Sequence, residues 1–262
     1  MDIKECIRTR KSVRTFEEVP LKDADLQVLK DYSQSITNPF SIPVSFVFLD
    51  AKEHCLSSPV LKGAQMYVAG KIAREEYSEV AFGYSFEDFV LYAWSLGIGT
   101  TWIAGTMNRT LFETAAKTQA NERMYCMSPL GYPSAKRSLK EIAMRKGIQA
   151  DKRKDSKELF FINDFATPLS YEEEERREAL ELVRLAPSAT NSQPWRIVKK
   201  DNKYHFYLKH SKGYDTEKGD IQKVDMGIAL YHFMALEKGN VILDNPSIPC
   251  EEGIEYLFTV TF

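Results

Sequence analysis

Pro187-Ser188-Ala189-Thr190-Asn191-Ser192-Gln193-Pro194-Trp195 is a polar loop pinned by two prolines and closed by an aromatic. Its amide and hydroxyl groups could read the edge of a flat heterocycle without adding charge, although an ordinary helix-to-strand turn also favours Pro, Ser and Asn. A second copy gives the loop weight. At a displacement of 153 residues, Ser35-Ile36-Thr37-Asn38 falls on Ser188-Ala189-Thr190-Asn191. Each copy follows an amphipathic helix and precedes a strand, so the chain reads as two related lobes.

Around the first copy, the pattern predicts a helix over 2–10 with Asp2 as N-cap and Glu5 three residues on, and another over 22–34 after Pro20. A strand over 44–49 follows, then a helix over 84–96 halted by Gly97, a short buried strand over 100–104, and a helix from Asn108 to Lys117. A strand over 124–130 closes the set at Gly131-Tyr132-Pro133. Around the second copy, Ser170 and Glu173 form a capping box opening a helix, with the acidic run Glu172–Glu175 facing its dipole. Strands over 195–199 and 204–209, a helix over 224–238 stopped by Gly239, and a strand over 255–262 complete it. The basic run 136–157 reads as a solvated helix plus linker, with the lobe boundary near its end. The expected class is α+β: two pseudo-symmetric lobes, 1–155 and 156–262, each a mixed sheet flanked by helices.

The copies differ where chemistry would sit. Arg8-Thr9-Arg10-Lys11-Ser12-Val13-Arg14 gathers four cations and two hydroxyls in seven positions. In an extended segment Arg10, Ser12 and Arg14 point the same way, a row suited to a phosphate dianion. A solvated basic helix end would look similar. Lobe two carries Asn163, Phe165 and Thr167 at those positions. Conversely, Pro187, Gln193, Pro194 and Trp195 belong to lobe two alone, and the glycine-flanked run Leu96–Gly105 has no equivalent after Gly239. Each lobe lacks what the other keeps, which implies one composite site per chain at the interface.

Composition narrows the classes. Hydrophobic residues at 44% and aromatics at 12% support a substantial core, and a net charge of −2 from 35 basic and 37 acidic side chains selects neither nucleic acid nor an anionic membrane. No apolar run approaches the roughly 20 residues that span a bilayer. Cys6, Cys55, Cys126 and Cys250 form no CxxC pair and no secretory leader is legible, so reduced thiols and a cytoplasmic location are expected. His54, His205, His210 and His232 show no metal-ligand spacing; His205 and His210 are expected on a surface strand, and Cys126 in the core.

Taken together, these segments resemble the nitroreductase superfamily, and particularly its branch with two lobes fused in one chain as a pseudo-dimer. Arg10-Lys11-Ser12-Val13-Arg14-Thr15-Phe16 resembles the family's Arg-Arg-Ser-x-Arg-x-Phe/Tyr phosphate motif, with Lys11 replacing the commoner arginine. Pro187–Trp195 is similar to its Pro-Ser-x-x-Asn-x-Gln-Pro-Trp, and Leu96–Gly105 to its Leu-Gly-Leu-Gly-Thr-x-Trp stretch. Gly131-Tyr132-Pro133 with Lys136-Arg137 resembles its late Gly-x-Pro and basic residue. The resemblance implies a nitroreductase-like fold binding flavin mononucleotide (FMN). Arg10, Lys11, Ser12, Arg14 and Arg137 would hold the phosphate, Ile103, Ala104 and Gly105 would lie by the ring, and Pro187, Ser188, Ala189 and Asn191 would reach it from lobe two. Ala189 stands where many relatives carry serine.

The resemblance further implies hydride transfer from NAD(P)H through FMN to a small acceptor such as a nitroaromatic or quinone. No catalytic side chain, metal, nucleic acid or membrane is required, and fusion of the lobes lets a monomer build the site. Two rivals stand beside this: another flavin reaction on the same fold, such as dehalogenation or substrate dehydrogenation, and an FMN-binding protein without turnover.

Overall fold

A computed structural model describes residues 2–172 and 174–262. Helix α1 (Ile3–Thr9) starts where Asp2 accepts hydrogen bonds from the amides of Lys4 and Glu5, as its cap position predicts. Helix α2 (Asp23–Ser35) leads to strand β1 (Ser45–Asp50), which pairs antiparallel with β2 (Met66–Ala73). Helix α3 (Ser78–Ser95) follows, six residues longer at its start than the pattern suggests. It ends as expected at Gly97, whose φ of +75° favours glycine. Helix α4 (Arg109–Ala115) is capped by Asn108, and β3 (Glu122–Arg123) and β4 (Met127–Leu130) both pair with β2.

Two corrections belong here. The expected strand over 124–130 is broken because the Arg109 guanidinium takes the carbonyls of Met124 and Tyr125, which are then lost to a ladder. The expected strand over 100–104 is an extended segment that pairs with the sheet through lone bridges, Gly99 to Gly131 and Ile103 to Met127, and accepts from the Val13 amide at Thr100.

The basic run forms helix α5 (Leu139–Gly147), and β5 (Phe160–Ile162) opens the second sheet. Helix α6 (Arg177–Leu185) begins six residues later than Ser170 as N-cap predicts; Glu173 lies outside the described residues. The acidic run does not uniformly face a dipole either. Glu174 is buried and accepts from Lys199 Nζ at 2.8 Å and from the Tyr204 hydroxyl, fastening the helix entry to the sheet. Strands β6 (Trp195–Lys200) and β7 (Lys203–Lys209) form a hairpin, turned by Asp201 and Asn202 at φ +50° and +61°. A small hairpin, β8 (Asp215–Thr216) with β9 (Gly219–Asp220), precedes helix α7 (Ile221–Met234). That helix starts three residues earlier than expected because Asp220 caps it, and it stops well short of Gly239. Strands β10 (Asn240–Ile242) and β11 (Ile254–Thr261) complete the sheet order β10-β11-β7-β6-β5, with β5 parallel to β6 and the rest antiparallel.

The internal repeat is visible in topology. The series α2-β1-β2-α3-β4 in one lobe is matched by α6-β6-β7-α7-β11 in the other, making a single-chain pseudo-dimer. Helices α3 and α7 pack against each other at its centre. A Cβ on Gly83 would fall 2.0 Å from the carbonyl oxygen of Val224, and one on Gly227 would fall 2.0 Å from that of Val80. Val80 joins the core of the second lobe and Val224 that of the first, so the helices exchange equivalent side chains. The repeat displacement here is 144 residues rather than the 153 seen in the loops, because the β1–β2 connection is long where the β6–β7 turn is two residues.

His205 departs from expectation. It is 3% exposed, its Nδ1 lying 2.7 Å from Thr259 Oγ1, since the β7 face that bears it is covered. His210 is partly exposed beside Glu255, and Cys126 is buried as predicted.

Candidate functional site

A cleft of about 310 Å³ lies between the lobes. From the first lobe it is lined by Ser12, Arg14, Trp102, Ile103, Ala104, Gly105 and Cys126. Pro187, Ser188, Ala189 and Thr190 face it from the second, with Val224, Asp225 and Ile228 of α7. Met144 of α5 and Ile148 just beyond it close one side. The segments singled out in each lobe therefore meet at one place, the first supplying the arm and glycine run, the second the proline-pinned loop.

A smaller polar depression of about 90 Å³ continues the cleft, sharing Ser12, Ile148, Pro187 and Ser188 with it. Arg10, Lys11, Arg145 and Arg153 surround it, against the single carboxylate of Asp151, which pairs with Arg145 at 2.5 Å. Three guanidinium nitrogens around the two cavities are buried without a hydrogen-bond partner: Arg10 Nη1, Arg14 Nε and Arg153 Nε. Burial pushes the Arg14 and Arg153 guanidinium groups below their ordinary range. Desolvated, unpaired donors of this kind are costly unless an anion takes them, and guanidinium forks suit phosphate oxygens.

Arg145 and Arg153 come from the run read as solvated. Their signal in the sequence is only a basic composition, and what turns them inward is the chain path between the lobes. Arg153 donates to Asn191 Oδ1 at 3.3 Å and to the Leu185 carbonyl at 3.2 Å. Asn191 in turn donates to the carbonyls of Gln149 and Lys152 at 2.8 and 2.9 Å, and Gln193 accepts from the Lys154 amide at 2.8 Å. The loop amides thus clamp the interlobe connection rather than facing the apolar part of the cleft. Thr190, Asn191 and Gln193 all adopt left-handed φ of +49° to +60°, a conformation that side-chain-bearing residues hold only when their surroundings fix it.

Arg137 is not brought to the cleft. It lines a neighbouring depression and sits 3.6 Å from the buried Glu141 carboxylate, which also accepts from Thr15 Oγ1 at 2.8 Å. Behind the cleft, the buried Glu87 of α3 accepts from Trp102 Nε1 at 3.0 Å, lies 3.8 Å from Arg10 Nε and meets His232 of α7. Asp225, also unforeseen from sequence, accepts from the Ala189 amide at 3.0 and 3.1 Å. Among the described residues no cluster of His, Cys, Asp and Glu could hold a metal ion, and no helix is long and apolar enough to cross a membrane.

Residues 2–236 match the family model described as "Putative TM nitroreductase". Among solved structures, "a putative nitroreductase" from Thermotoga maritima MSB8 is 20% identical and superposes with a TM-score of 0.63, over 99% of this chain and 93% of that one. A nitroreductase family protein from Clostridium novyi NT is 21% identical, with a TM-score of 0.44 over 67% of this chain and 99% of its own. An FMN-dependent nitroreductase from Clostridium difficile R20291 is 17% identical, with a TM-score of 0.42 over 51% of this chain and 88% of its own. No curated protein matches the chain.

Proposed function

Because the chain belongs to the nitroreductase family whose model spans residues 2–236, we propose that it holds one FMN in the interlobe cleft and is an NAD(P)H oxidoreductase for a small organic acceptor. The observation that carries this reading is the trio of buried, unpartnered guanidinium nitrogens on Arg10, Arg14 and Arg153, set where a polar depression opens into an apolar cleft. The residues fit the cofactor. A phosphate would satisfy the orphaned donors together with Lys11 and Ser12, and a flat ring would lie along Ile103, Ala104 and Gly105 with Pro187, Ser188 and Ala189 opposite.

When bound, FMN supplies hydride acceptance from NAD(P)H and hydride donation to a nitroaromatic, quinone or similar acceptor. The chain supplies position and shelter. Trp102, Met144, Ile148 and Ile228 exclude water from the ring region, and Glu87 holds Trp102 in place through its indole N–H. Arg137 plays no part in this arrangement. Both walls come from one chain, so a second subunit is not needed to complete the site.

Flavin stoichiometry with mass identification tests the proposal. One FMN per chain, bleached by NAD(P)H under anaerobic conditions, is the expected result. Two flavins would sink the composite site, FAD would overturn the phosphate assignment, and tightly held FMN that NAD(P)H fails to bleach would leave a binding protein without turnover.

A further inference from the structure

Asp225 is the one carboxylic acid lining the 310 Å³ cleft among the described residues, and it is 3% exposed. Among the described residues its one hydrogen-bond donor is the Ala189 amide, and it makes no ion pair. A carboxylate has about four acceptor sites, and leaving a buried one with a single neutral donor is expensive. Burial accordingly pushes this carboxyl well above the usual range, with Asp220 on the helix cap adding to the effect. The other ionisable groups around it do not offset this. Cys126, facing from the first lobe, is itself held protonated by burial, and Arg14 lines the same cleft without pairing to it. On α3, Glu87 and Asp88 are engaged with His232 and Tyr231, nearly two turns further along α7. Both carboxyl oxygens share the Ala189 amide at the wall of the cleft.

The pseudo-symmetry adds an independent observation. At the 144-residue displacement that relates Gly83 to Gly227, the counterpart of Asp225 is Ala81, a core residue packed among the aromatics of α3. The carboxyl is present in the helix that faces the cleft and absent from its twin.

We infer that Asp225 is a ligand-binding residue of the cleft, donating its carboxyl hydrogen to a carbonyl oxygen or unprotonated ring nitrogen of the bound heterocycle. This rests on the flavin reading above. It adds a neutral donor at the ring end, opposite in kind to the cationic phosphate end, and selects a ring edge that accepts rather than donates.

The test is FMN affinity of flavin-stripped protein, read by quenching of flavin fluorescence at pH 7 and pH 9. The phosphate is already mostly dianionic at pH 7, its second pKa being about 6. Wild type should lose affinity as pH rises, by about threefold once the carboxyl has ionised and the donor has become a carboxylate facing a lone pair. Asp225→Asn keeps a donor for the ring and an acceptor for Ala189, so its affinity should hold at both values. Asp225→Ala should bind about tenfold more weakly at pH 7. Wild-type affinity in Asp225→Ala, or the same pH response in wild type and Asp225→Asn, would overturn the inference. Should Asp225→Ala fail to fold by circular dichroism, the comparison with Asp225→Asn decides alone. A wild type that binds no FMN at either pH sinks the flavin reading itself, whereas normal binding with indifferent variants sinks only the role of Asp225.

Discussion

His232 Nε2 on α7 lies 3.0 Å from Glu87 Oε1 on α3, and both side chains are buried at the seam between the lobes. His232 Nδ1 is 2.8 Å from the Leu182 carbonyl, which can only accept, so that nitrogen carries a hydrogen. Glu87 also receives Trp102 and faces Arg10. One carboxyl therefore joins the second lobe, the Trp102 wall of the cleft and the Arg10 arm.

Removing that carboxyl should damage stability and ligand retention together. Glu87→Ala leaves the buried Trp102 indole N–H and the His232 Nε2 without their partner, a loss of about 3 kcal/mol in urea unfolding. Glu87→Gln, which keeps an acceptor oxygen, should lose less. Equal stability for Glu87→Ala and wild type would refute the link.

The cationic depression proposed for the phosphate gives a paired prediction. Arg153→Ala should weaken FMN retention by about tenfold or more, since a charge-assisted hydrogen bond is worth roughly 1.5–3 kcal/mol. Arg10→Ala combined with Arg14→Ala should strip the flavin while circular dichroism stays native. Arg137→Ala, on a side chain outside the cleft, should purify as yellow as wild type. Flavin loss in Arg137→Ala alone, with Arg153→Ala unaffected, would reverse the assignment.

Buried His205 predicts an acid-side dependence of stability. Burial lowers its folded pKa, so the folded chain keeps a neutral imidazole while the unfolded chain takes a proton near the ordinary value of about 6.5. Its contribution is complete above that value and falls as pH drops toward the folded pKa, by at most about 1.4 kcal/mol per pH unit. Unfolding free energies between pH 5 and 7 should fall more steeply for wild type than for His205→Asn. Parallel profiles would show that His205 does not carry the dependence.

Much of the site was legible because its two halves carry strong local chemistry. Arg10–Arg14 and Pro187–Trp195 announce themselves in composition, and their absence from the opposite lobe points to an interface. What stayed hidden depends on long-range geometry. Strand β2 escapes a reading by alternation because its middle residues are buried on both faces, and Gly70 within it leaves room for the rings of Phe82 and Phe86. Glu174 reads as a dipole partner until the sheet brings Lys199 and Tyr204 to it. Arg145 and Arg153 look solvated because nothing local says that Asn191 will draw their segment inward. Asp225 sits in an apolar helix where one acid carries no periodic signal.

The displacement that sets Ala81 against Asp225 has a consequence for how such a chain can evolve. In an assembly of identical subunits every substitution arrives twice, so a carboxyl introduced at one cleft would appear at its symmetry mate as well. Here the twin positions are separate codons. Asn191 can hold the interlobe connection while Asn38 bonds Ser85 and the Ile42 carbonyl within its own lobe, and neither role constrains the other. Separate codons leave the two halves free to specialise, and the interlobe cleft, with Asp225 on one helix and no acid on its twin, is where they differ.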